Sequence, residues 1–249
     1  MALGVVTGEN IAAYSTSVGL MLLLVGAVQY HVLEGQKGAF MRRFLAPQVA
    51  DLVRREGLKR TMASDSMELS VVACDVRGFT GYAEFVGSER VIMGLRSYYD
   101  RVGAIAARHG ATIKDYAGDG VLMLVGAPLP CEGHAEIAMA LARDLQREVA
   151  PMLEQWSLDD HQLGMGIGVA TGQATVGIVG GSSRLEYAAV GSVVNRAARL
   201  CDAARSGEVL LDAATHTAAD HNSAITIESG PRQLKGIDRP VETFAISRA

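Results

Sequence analysis

Two aspartates stand in short glycine-containing loops, each beside an apolar run that is rich in β-forming residues. Asp75 follows the run at 71–74, and Asp119 lies between Gly118 and Gly120. Paired carboxylates are the oxygen ligands that hard divalent cations prefer, and such cations bind phosphate. The two loops therefore require a fold whose strands bring two distant carboxylates to one place, where they can share cations bound to a polyphosphate.

A third segment, residues 187–200, places an amide and a guanidinium on one face of a predicted helix. Asn195 and Arg199 are separated by four residues, which is the spacing of neighbours on a helix surface. Arg196, the residue next to Asn195, is expected to face solvent. Together with the two aspartate loops, this segment indicates an enzyme that handles nucleotides.

The periodicity of the chain from residue 69 onward predicts alternating strands and helices. The order is β-α-β-β-α-β followed by further strands, which is the ferredoxin-like pattern of an α+β fold. Residues 112–116 with 121–125, and 164–171 with 174–179, are predicted to form hairpins, and Pro151 is expected to kink or end its helix. The predicted strands are 69–76, 112–116, 121–125, 164–171, 174–179, 208–211, 224–228 and 242–246, and the predicted helices are 89–109, 135–156 and 193–204.

The N-terminal region has a different composition from the rest of the chain. Residues 10–33 contain no Asp, Glu, Lys or Arg, and a bilayer crossing needs about 20 such residues. Basic residues at 37, 42 and 43 follow this span, while Glu9 is the one charged residue before it. By the positive-inside rule, a membrane-anchored protein of this kind holds its C-terminal domain in the cytoplasm.

These features divide the chain into three predicted parts. Residues 1–34 form an N-terminal transmembrane or apolar helix, 35–66 a helical connector that begins a helix at Pro47, and 67–249 a catalytic domain. The alternative for the first part is a buried or coiled-coil helix, because its most apolar stretch is short.

Charge and cysteine content exclude other classes of protein. The net charge of −4 and the isoelectric point near 5.9 argue against a nucleic-acid partner. The three cysteines at 74, 131 and 201 are odd in number and lack metal-binding spacing, so reduced thiols are expected.

Four motifs, in order along the chain, resemble those of the class III nucleotidyl cyclases, the adenylyl and guanylyl cyclases. They are 75–80 (Asp-Val-Arg-Gly-Phe-Thr), 118–122 (Gly-Asp-Gly-Val-Leu), 191–199 (Gly-Ser-Val-Val-Asn-Arg-Ala-Ala-Arg) and 234–236 (Leu-Lys-Gly). The resemblance implies the cyclase catalytic fold and the conversion of a nucleoside triphosphate to a 3′,5′-cyclic nucleotide and pyrophosphate. It also implies two Mg²⁺ or Mn²⁺ ions per site and a homodimer, because in this family the metal aspartates of one subunit face the Asn and Arg of the other.

The resemblance assigns roles to individual positions. Asn195 positions the ribose, and Arg199 stabilises charge that develops on the α-phosphate. The expected metal ligands are Asp75, the carbonyl of Val76, and Asp119, and the expected phosphate-binding residues are Gly78, Phe79, Thr80 and Lys235.

The positions that select the base depart from the family pattern. Adenylyl cyclases usually have a lysine four residues before the second metal aspartate, where this chain has Asp115, and Lys114 comes one step earlier. The partner position, seven residues before the catalytic Asn, is Ala188, which has no hydrogen-bonding side chain. A one-residue step on a strand turns the side chain to the other face, unless a local bulge brings Lys114 back.

The choice of nucleotide is therefore open at this point. An adenylyl cyclase is favoured because bacterial members of the family mostly make cyclic AMP. The alternatives are a guanylyl cyclase, with Asp115 accepting hydrogen bonds from guanine, and a degenerate domain that serves as a nucleotide sensor or dimerisation module. A diguanylate cyclase fits poorly, because the chain lacks the Gly-Gly-(Asp/Glu)-Glu-Phe motif.

Overall fold

The computed structural model describes residues 21, 47–56, 63–181, 184–219 and 226–246. The chain divides into two compact units, Met1–Pro47 and Gln48–Ala249. The strands are β1 Asp65–Arg77, β2 Thr112–Ala117, β3 Gly120–Val125, β4 Gly164–Gly181, β5 Arg184–Val190, β6 Val209–Asp212, β7 Thr226–Arg232 and β8 Val241–Ile246. The helices are α1 Pro47–Glu56, α2 Phe79–Val86, α3 Ser88–Arg108, α4 His134–Trp156, α5 Ser192–Ala203 and α6 Ala213–Ala218.

The strands form one mixed sheet in the order β2-β3-β1-β4-β6-β8-β7, and β5 pairs with the outer part of β4. β1 runs antiparallel to both β3 and β4, whereas β6 runs parallel to β4. The first six major elements follow the predicted βαββαβ order, and the predicted C-terminal strands extend the sheet. The α+β ferredoxin-like prediction for the core is confirmed.

Alternating side chains of β1 give the sheet two different faces. Val72, Cys74 and Val76 are buried in the main core, which also includes residues of α3 and α4. Each fully buried side chain of this size contributes about 1.5–3 kcal/mol relative to exposure. By the same alternation, Asp75 points to the opposite face, at the end of the strand.

Glycines on β4 let helix α5 lie directly on this opposite face. A Cβ added at Gly168 would stand 2.2 Å from the backbone N of Cys201 and 2.3 Å from the carbonyl O of Ala197. The alternate residues Met165 and Ile167 are buried in the main core. The strand therefore packs side chains on one face and backbone against a helix on the other.

The prediction of a hairpin within 164–179 is wrong. β4 is one strand of 18 residues that runs through Gly172, and its hairpin partner is β5. Pro151 does not end helix α4, which continues to Trp156. The hairpin prediction failed because the 13-residue strand β1 pairs with β4 on both sides of Gly172. Gly172 itself pairs with Leu69, so the chain continues as a strand instead of turning.

Helix α1 begins at Pro47, as predicted, and packs on the catalytic domain. Val49 is buried, and the side chain of Gln48 donates a hydrogen bond to the carbonyl of Ala111 at 3.0 Å. No helix among the described residues is long and apolar enough to span a bilayer. The helix expected within residues 1–34 lies, apart from Met21, outside the described residues, so the divisions at 34 and 66 stay predictions.

Candidate active site

The fold brings the two predicted metal aspartates together. Asp119 occupies the tight turn between β2 and β3, where Ala117 pairs with Gly120. β3 lies beside β1, and Asp75 Oδ1 is 3.4 Å from the point where a Cβ on Gly120 would stand. Two loops that are far apart in sequence thus meet at the end of the sheet where β1 terminates, as the sequence predicted.

At Asp75 and Asp119, the negative charge of two carboxylates exceeds the positive charge of Arg77. Partial burial and the charge of the neighbouring Asp119 raise the pKa of Asp75 to about 6, although Arg77 opposes the shift. Two carboxylates held this close repel one another when both are ionised. A divalent cation would relieve that repulsion.

Arg77 is a site residue that the sequence analysis missed. Its guanidinium forms an ion pair with Asp75, and its Nε donates to the carbonyl of Ala204 at 3.1 Å. Another of its nitrogens donates to the carbonyl of Cys201. Arg77 therefore joins the end of β1 to the C-terminal end of α5, and its position two residues after Asp75 on a strand was the available signal.

The donor set fits Mg²⁺ or Mn²⁺. Among the described residues, no group of three His, Cys, Asp or Glu side chains converges on one point, so the protein offers two carboxylates here. Mg²⁺ in proteins is commonly held by one or two carboxylates, with substrate phosphates and waters completing its shell. The side chain of Val76 is a hydrocarbon, so only its backbone carbonyl could contribute.

The glycine loop after Asp75 leads into a helix N-terminus. Gly78 has φ +79°, and a Cβ at this residue would stand 2.3 Å from the carbonyl O of Gln162, so only glycine fits. Phe79 packs against the main core, while Thr80 is exposed. The first N–H groups of α2 have no partner within the helix, which suits them to bind phosphate.

Helix α5 places its two arginines in different environments. Arg199 is half-exposed and pairs with Asp202 on the same helix at 2.8 Å. Arg196, which was expected to face solvent, instead pairs with the buried Asp212 at 2.9 Å. That expectation was wrong because the partner lies 16 residues further along the chain, on β6, where helical periodicity gives no information.

Asn195 is exposed and lines a cleft of about 420 Å³ together with the loop Gly236–Val241. Lys235 is exposed and directly precedes that loop. A separate cavity of about 460 Å³ between α4 and β4 contains none of the predicted site residues.

The predicted site residues thus fall into two groups, here called half-sites, one formed by Asp75 and Asp119 and one by Asn195, Arg199 and Lys235. Among the hydrogen bonds and ion pairs of the described residues, none joins a member of one half-site to a member of the other. Asn195 lies six residues before Cys201 on α5, which is about 9 Å along the helix from the point where Arg77 is anchored.

A β-bulge in strand β2 determines the direction of the Lys114 side chain. Ile113 pairs with Met123 and Asp115 with Leu122, which are consecutive residues of β3, so Lys114 is the extra residue. The Lys114 Nζ lies 3.5 Å from Asp115 Oδ2 and 2.7 Å from Glu186 Oε1. The side chains of Lys114 and Asp115 therefore share a face, which a regular strand would not allow.

Comparisons with known proteins agree with this geometry. Residues 62–248 match the family model described as the adenylate and guanylate cyclase catalytic domain. The chain belongs to this family. The class III resemblance is thereby confirmed.

Solved cyclases share the fold. The adenylyl cyclase CyaB from P. aeruginosa aligns with a TM-score of 0.69 and 27% identity, over 75% of this chain and 97% of that one. The guanylyl cyclase Cya2 aligns with a TM-score of 0.66 and 32% identity, over 74% and 94% of the two chains. This cyclase domain therefore resembles enzymes of both specificities.

Curated relatives are longer proteins. An uncharacterised protein of Mycobacterium tuberculosis is 30% identical over 203 residues, which is 80% of this chain and 35% of the relative. The chain spans about a third of the length of the curated relatives that it matches.

Proposed function

We propose that the protein is an adenylyl cyclase that converts ATP to 3′,5′-cyclic AMP and pyrophosphate. The observation that carries the choice of ATP is the β-bulge at Lys114. In the family, adenylyl cyclases have a lysine at the base-selecting position of this strand. The bulge compensates for the one-residue offset and turns Lys114 to the face that Asp115 occupies, 2.7 Å from Glu186.

The residues of the metal half-site hold the triphosphate. Asp75 and Asp119 would bind two divalent cations. These cations would lower the pKa of the ribose 3′-hydroxyl and neutralise the negative charge of the phosphates. The N–H groups at Gly78, Phe79 and Thr80 donate to phosphate oxygens at the start of α2. Arg77, bound to Asp75 and to α5, keeps that carboxylate oriented.

The residues of the second half-site act on the ribose and the α-phosphate. Asn195 hydrogen-bonds the ribose and orients its 3′-hydroxyl for attack. Arg199 stabilises the negative charge that develops on the α-phosphate, because a guanidinium stays protonated and donates in a planar fork. Lys235 holds the terminal phosphates that leave as pyrophosphate.

A complete site requires two chains. Because no hydrogen bond or ion pair among the described residues joins the two half-sites of one chain directly, we propose a head-to-tail homodimer with two equivalent sites. Each site combines Asp75 and Asp119 of one protomer with Asn195, Arg199 and Lys235 of the other. A monomer is then inactive.

A guanylyl cyclase is the second candidate. Asp115 is exposed and stands four residues before Asp119, where family members that use GTP have a glutamate. The 32% identity with the guanylyl cyclase Cya2 also favours this alternative. Lys114 opposes it, because its ammonium group would crowd the guanine N1–H donor.

Turnover by the purified full chain with Mn²⁺ tests the proposal. Cyclic products from ATP and from GTP are separated and identified by mass spectrometry. Cyclic AMP as the main product supports the proposal, and cyclic GMP as the main product replaces it with the second candidate. Nucleotide binding without any product from a folded dimer would identify a sensor or dimerisation module instead.

Complementation tests the shared site. Asp75→Ala and Arg199→Ala chains are each inactive alone, and a mixed dimer regains the one site that is free of both changes. Differently tagged chains, purified in tandem, ensure that heterodimers are assayed. An inactive heterodimer would contradict the shared site.

We further propose that residues 1–34 anchor the protein in a membrane and that the catalytic domain lies in the cytoplasm. The support is the uncharged span 10–33 and the basic residues that follow it. Membrane fractionation of the full chain, with an alkaline wash, is compared with a chain that begins at residue 35. Equal recovery of both chains in the soluble fraction would contradict the anchor and would leave the cyclase assignment untouched.

A further inference from the structure

Tyr99 connects helix α3 to the turn that carries Asp119. Its hydroxyl donates a hydrogen bond to the carbonyl of Gly118, the residue directly before Asp119. The turn is short, because Ala117 at the end of β2 pairs with Gly120 at the start of β3. The contact therefore acts on one of the two residues between the strands, and the other of the two is the expected metal ligand.

Aromatic packing holds the ring of Tyr99 in place. Its centroid lies 4.3 Å from that of Tyr116 on β2 and 5.7 Å from that of Tyr98, which is buried in the main core. The Tyr116 hydroxyl lies over the same face of α3, 3.8 Å from the point where a Cβ on Gly103 would stand. Packing against two rings restricts the rotamers of Tyr99, so its hydroxyl approaches the turn from a fixed direction.

The Tyr99 hydroxyl lies close to the negative charge of the metal half-site. Burial, and then the charge of Asp119, raise the pKa of Tyr99 above its usual value near 10. The hydroxyl therefore stays protonated at neutral pH and remains a hydrogen-bond donor. Its single hydrogen goes to a backbone carbonyl, so the contact orients the turn without competing for the oxygens of Asp119.

The turn needs such a restraint because the two carboxylates oppose its position. Asp119 and Asp75 lie close together, although they repel one another when both are ionised. A turn without an outside contact would relieve this repulsion by moving Asp119 away. Part of the binding energy of a cation would then be used to bring its ligands together, and a turn that is already fixed avoids this cost.

We propose that Tyr99 is a positioning residue for the metal half-site. It holds the Gly118 carbonyl so that the Asp119 carboxylate stays beside that of Asp75, where both would bind a divalent cation. Tyr99 lies 19 residues before Gly118, on a helix that none of the four motifs includes. This assignment rests on the proposed function, which takes Asp119 as a cation ligand.

A purely structural contact would have a different consequence. If the hydrogen bond only stabilises the fold, its loss lowers the melting temperature and leaves the Mn²⁺ affinity of the folded protein unchanged. If it positions Asp119, its loss weakens Mn²⁺ binding at temperatures where the variant is fully folded. Metal affinity, measured without turnover, therefore separates the two roles.

Tyr99→Phe removes the hydroxyl and keeps the ring. The dissociation constant for Mn²⁺ is measured by EPR spectroscopy on the full chain without nucleotide. We expect it to rise about 3-fold to 10-fold in the variant, because one neutral hydrogen bond is lost. In the cyclase assay the KM for Mn²⁺ rises by a similar factor. The kcat at saturating Mn²⁺ stays within about 2-fold, because the bound cation then holds the turn.

Tyr116→Phe is the matched control. It removes a hydroxyl from the ring that packs on Tyr99, and among the described residues that hydroxyl makes no hydrogen bond. Its Mn²⁺ affinity should equal that of the wild type. Asp119→Asn shows which part of the bound Mn²⁺ belongs to this site, and melting temperatures confirm that each variant is folded during the measurement.

The outcomes separate this inference from the proposed function. Weaker Mn²⁺ binding in folded Tyr99→Phe, with Tyr116→Phe unchanged, supports the inference even if the wild type forms no cyclic nucleotide, a result that would defeat only the proposed function. Equal Mn²⁺ affinity in the wild type and Tyr99→Phe would overturn the inference. An equal loss in Tyr116→Phe, or a wild type that binds no Mn²⁺ at this site, would overturn it as well. Formation of cyclic AMP by the wild type would still support the adenylyl cyclase in each of these cases.

Discussion

Asp75 and Asp212 each bind an arginine, but their surroundings differ. Asp212 is 2% exposed, pairs with Arg196, and accepts hydrogen bonds from the backbone N–H groups of Thr171 and Thr215. Asp75 is 39% exposed, pairs with Arg77, and faces a second carboxylate instead of further donors.

The difference distinguishes a carboxylate that its own chain pairs fully from one that the proposed metal site would use. The first is fully paired by its own chain, because an unpaired buried charge would cost several kcal/mol. The second keeps unbalanced negative charge, as a site that receives a cation requires. A carboxylate pair that its own chain leaves unbalanced is therefore a better indicator of function here than burial or an arginine partner.

The largest expected effect distinguishes the two aspartates directly. Asp75→Asn lowers cyclase activity at least about 1000-fold, because divalent cations supply several kcal/mol of stabilisation in the transition state. Asp212→Asn retains most activity at temperatures where it is folded. Both are measured as kcat with Mn²⁺ and ATP, and a comparable loss in folded Asp212→Asn would show that the comparison is wrong.

The two arginines of α5 should differ in the same way. Arg199→Ala lowers kcat about 100-fold to 1000-fold, which is the usual result of removing one donor to transition-state charge. Its stability changes by less than about 1 kcal/mol, since its pair with Asp202 is on the surface. Asp202→Ala is the control that removes this pair and leaves Arg199 in place.

Arg196→Ala is expected to show a moderate loss of stability. The variant leaves Asp212 without its charged partner, so the free energy of unfolding falls by about 2 kcal/mol. For a domain of this size the melting temperature falls by about 4–8 °C. Calorimetry measures the change, and an unaltered melting temperature would indicate that the pair contributes nothing to the fold.

The smallest expected effect is a pH dependence of the metal-free protein. The pKa of Asp75 in the folded chain is about 6, above the value near 3.9 of an unfolded chain. Between these values the folded state holds a proton that the unfolded state has released, so the Asp75 contribution to stability falls as pH rises from about 4 to 6.

Asp75→Asn removes this dependence. Melting temperatures of the metal-free wild type and variant, taken at pH 4.5 and pH 7, should differ more at pH 7, with the variant the more stable. Added Mn²⁺ should raise the melting temperature of the wild type alone. A wild type that gains stability across this interval relative to the variant would contradict the assignment.

Much of this could be predicted from the sequence, because local patterns specify it. The βαββαβ order of the core, the hairpin around Asp119 and the end of α3 near Gly110 follow from periodicity and glycine placement, and the structure has all three. Local pattern failed at Gly172, where it indicated a turn, because the long partner strand β1 outweighs the low strand propensity of glycine.

The rest depended on contacts between distant segments. Arg196 forms an ion pair with Asp212, and Lys114 forms one with Glu186, which is 72 residues further along the chain. Neither pair belongs to a recognisable sequence motif. From the sequence, either a regular strand or a bulge at Lys114 was possible. The sequence shows that Lys114 is offset by one residue from the family position, but it does not show how β2 pairs with β3.

The absence of a side chain at Gly168 determines how closely helix α5 approaches the sheet. With backbone atoms of α5 2.2–2.3 Å from where a Cβ would stand, any other residue at this position would lift the helix from the sheet. A displacement of about 1 Å at a reacting centre can cost about 100-fold in rate. If Asn195 and Arg199 serve the neighbouring protomer, as proposed, a single methyl group at Gly168 of one subunit would lower the activity of the site that this subunit completes in its partner.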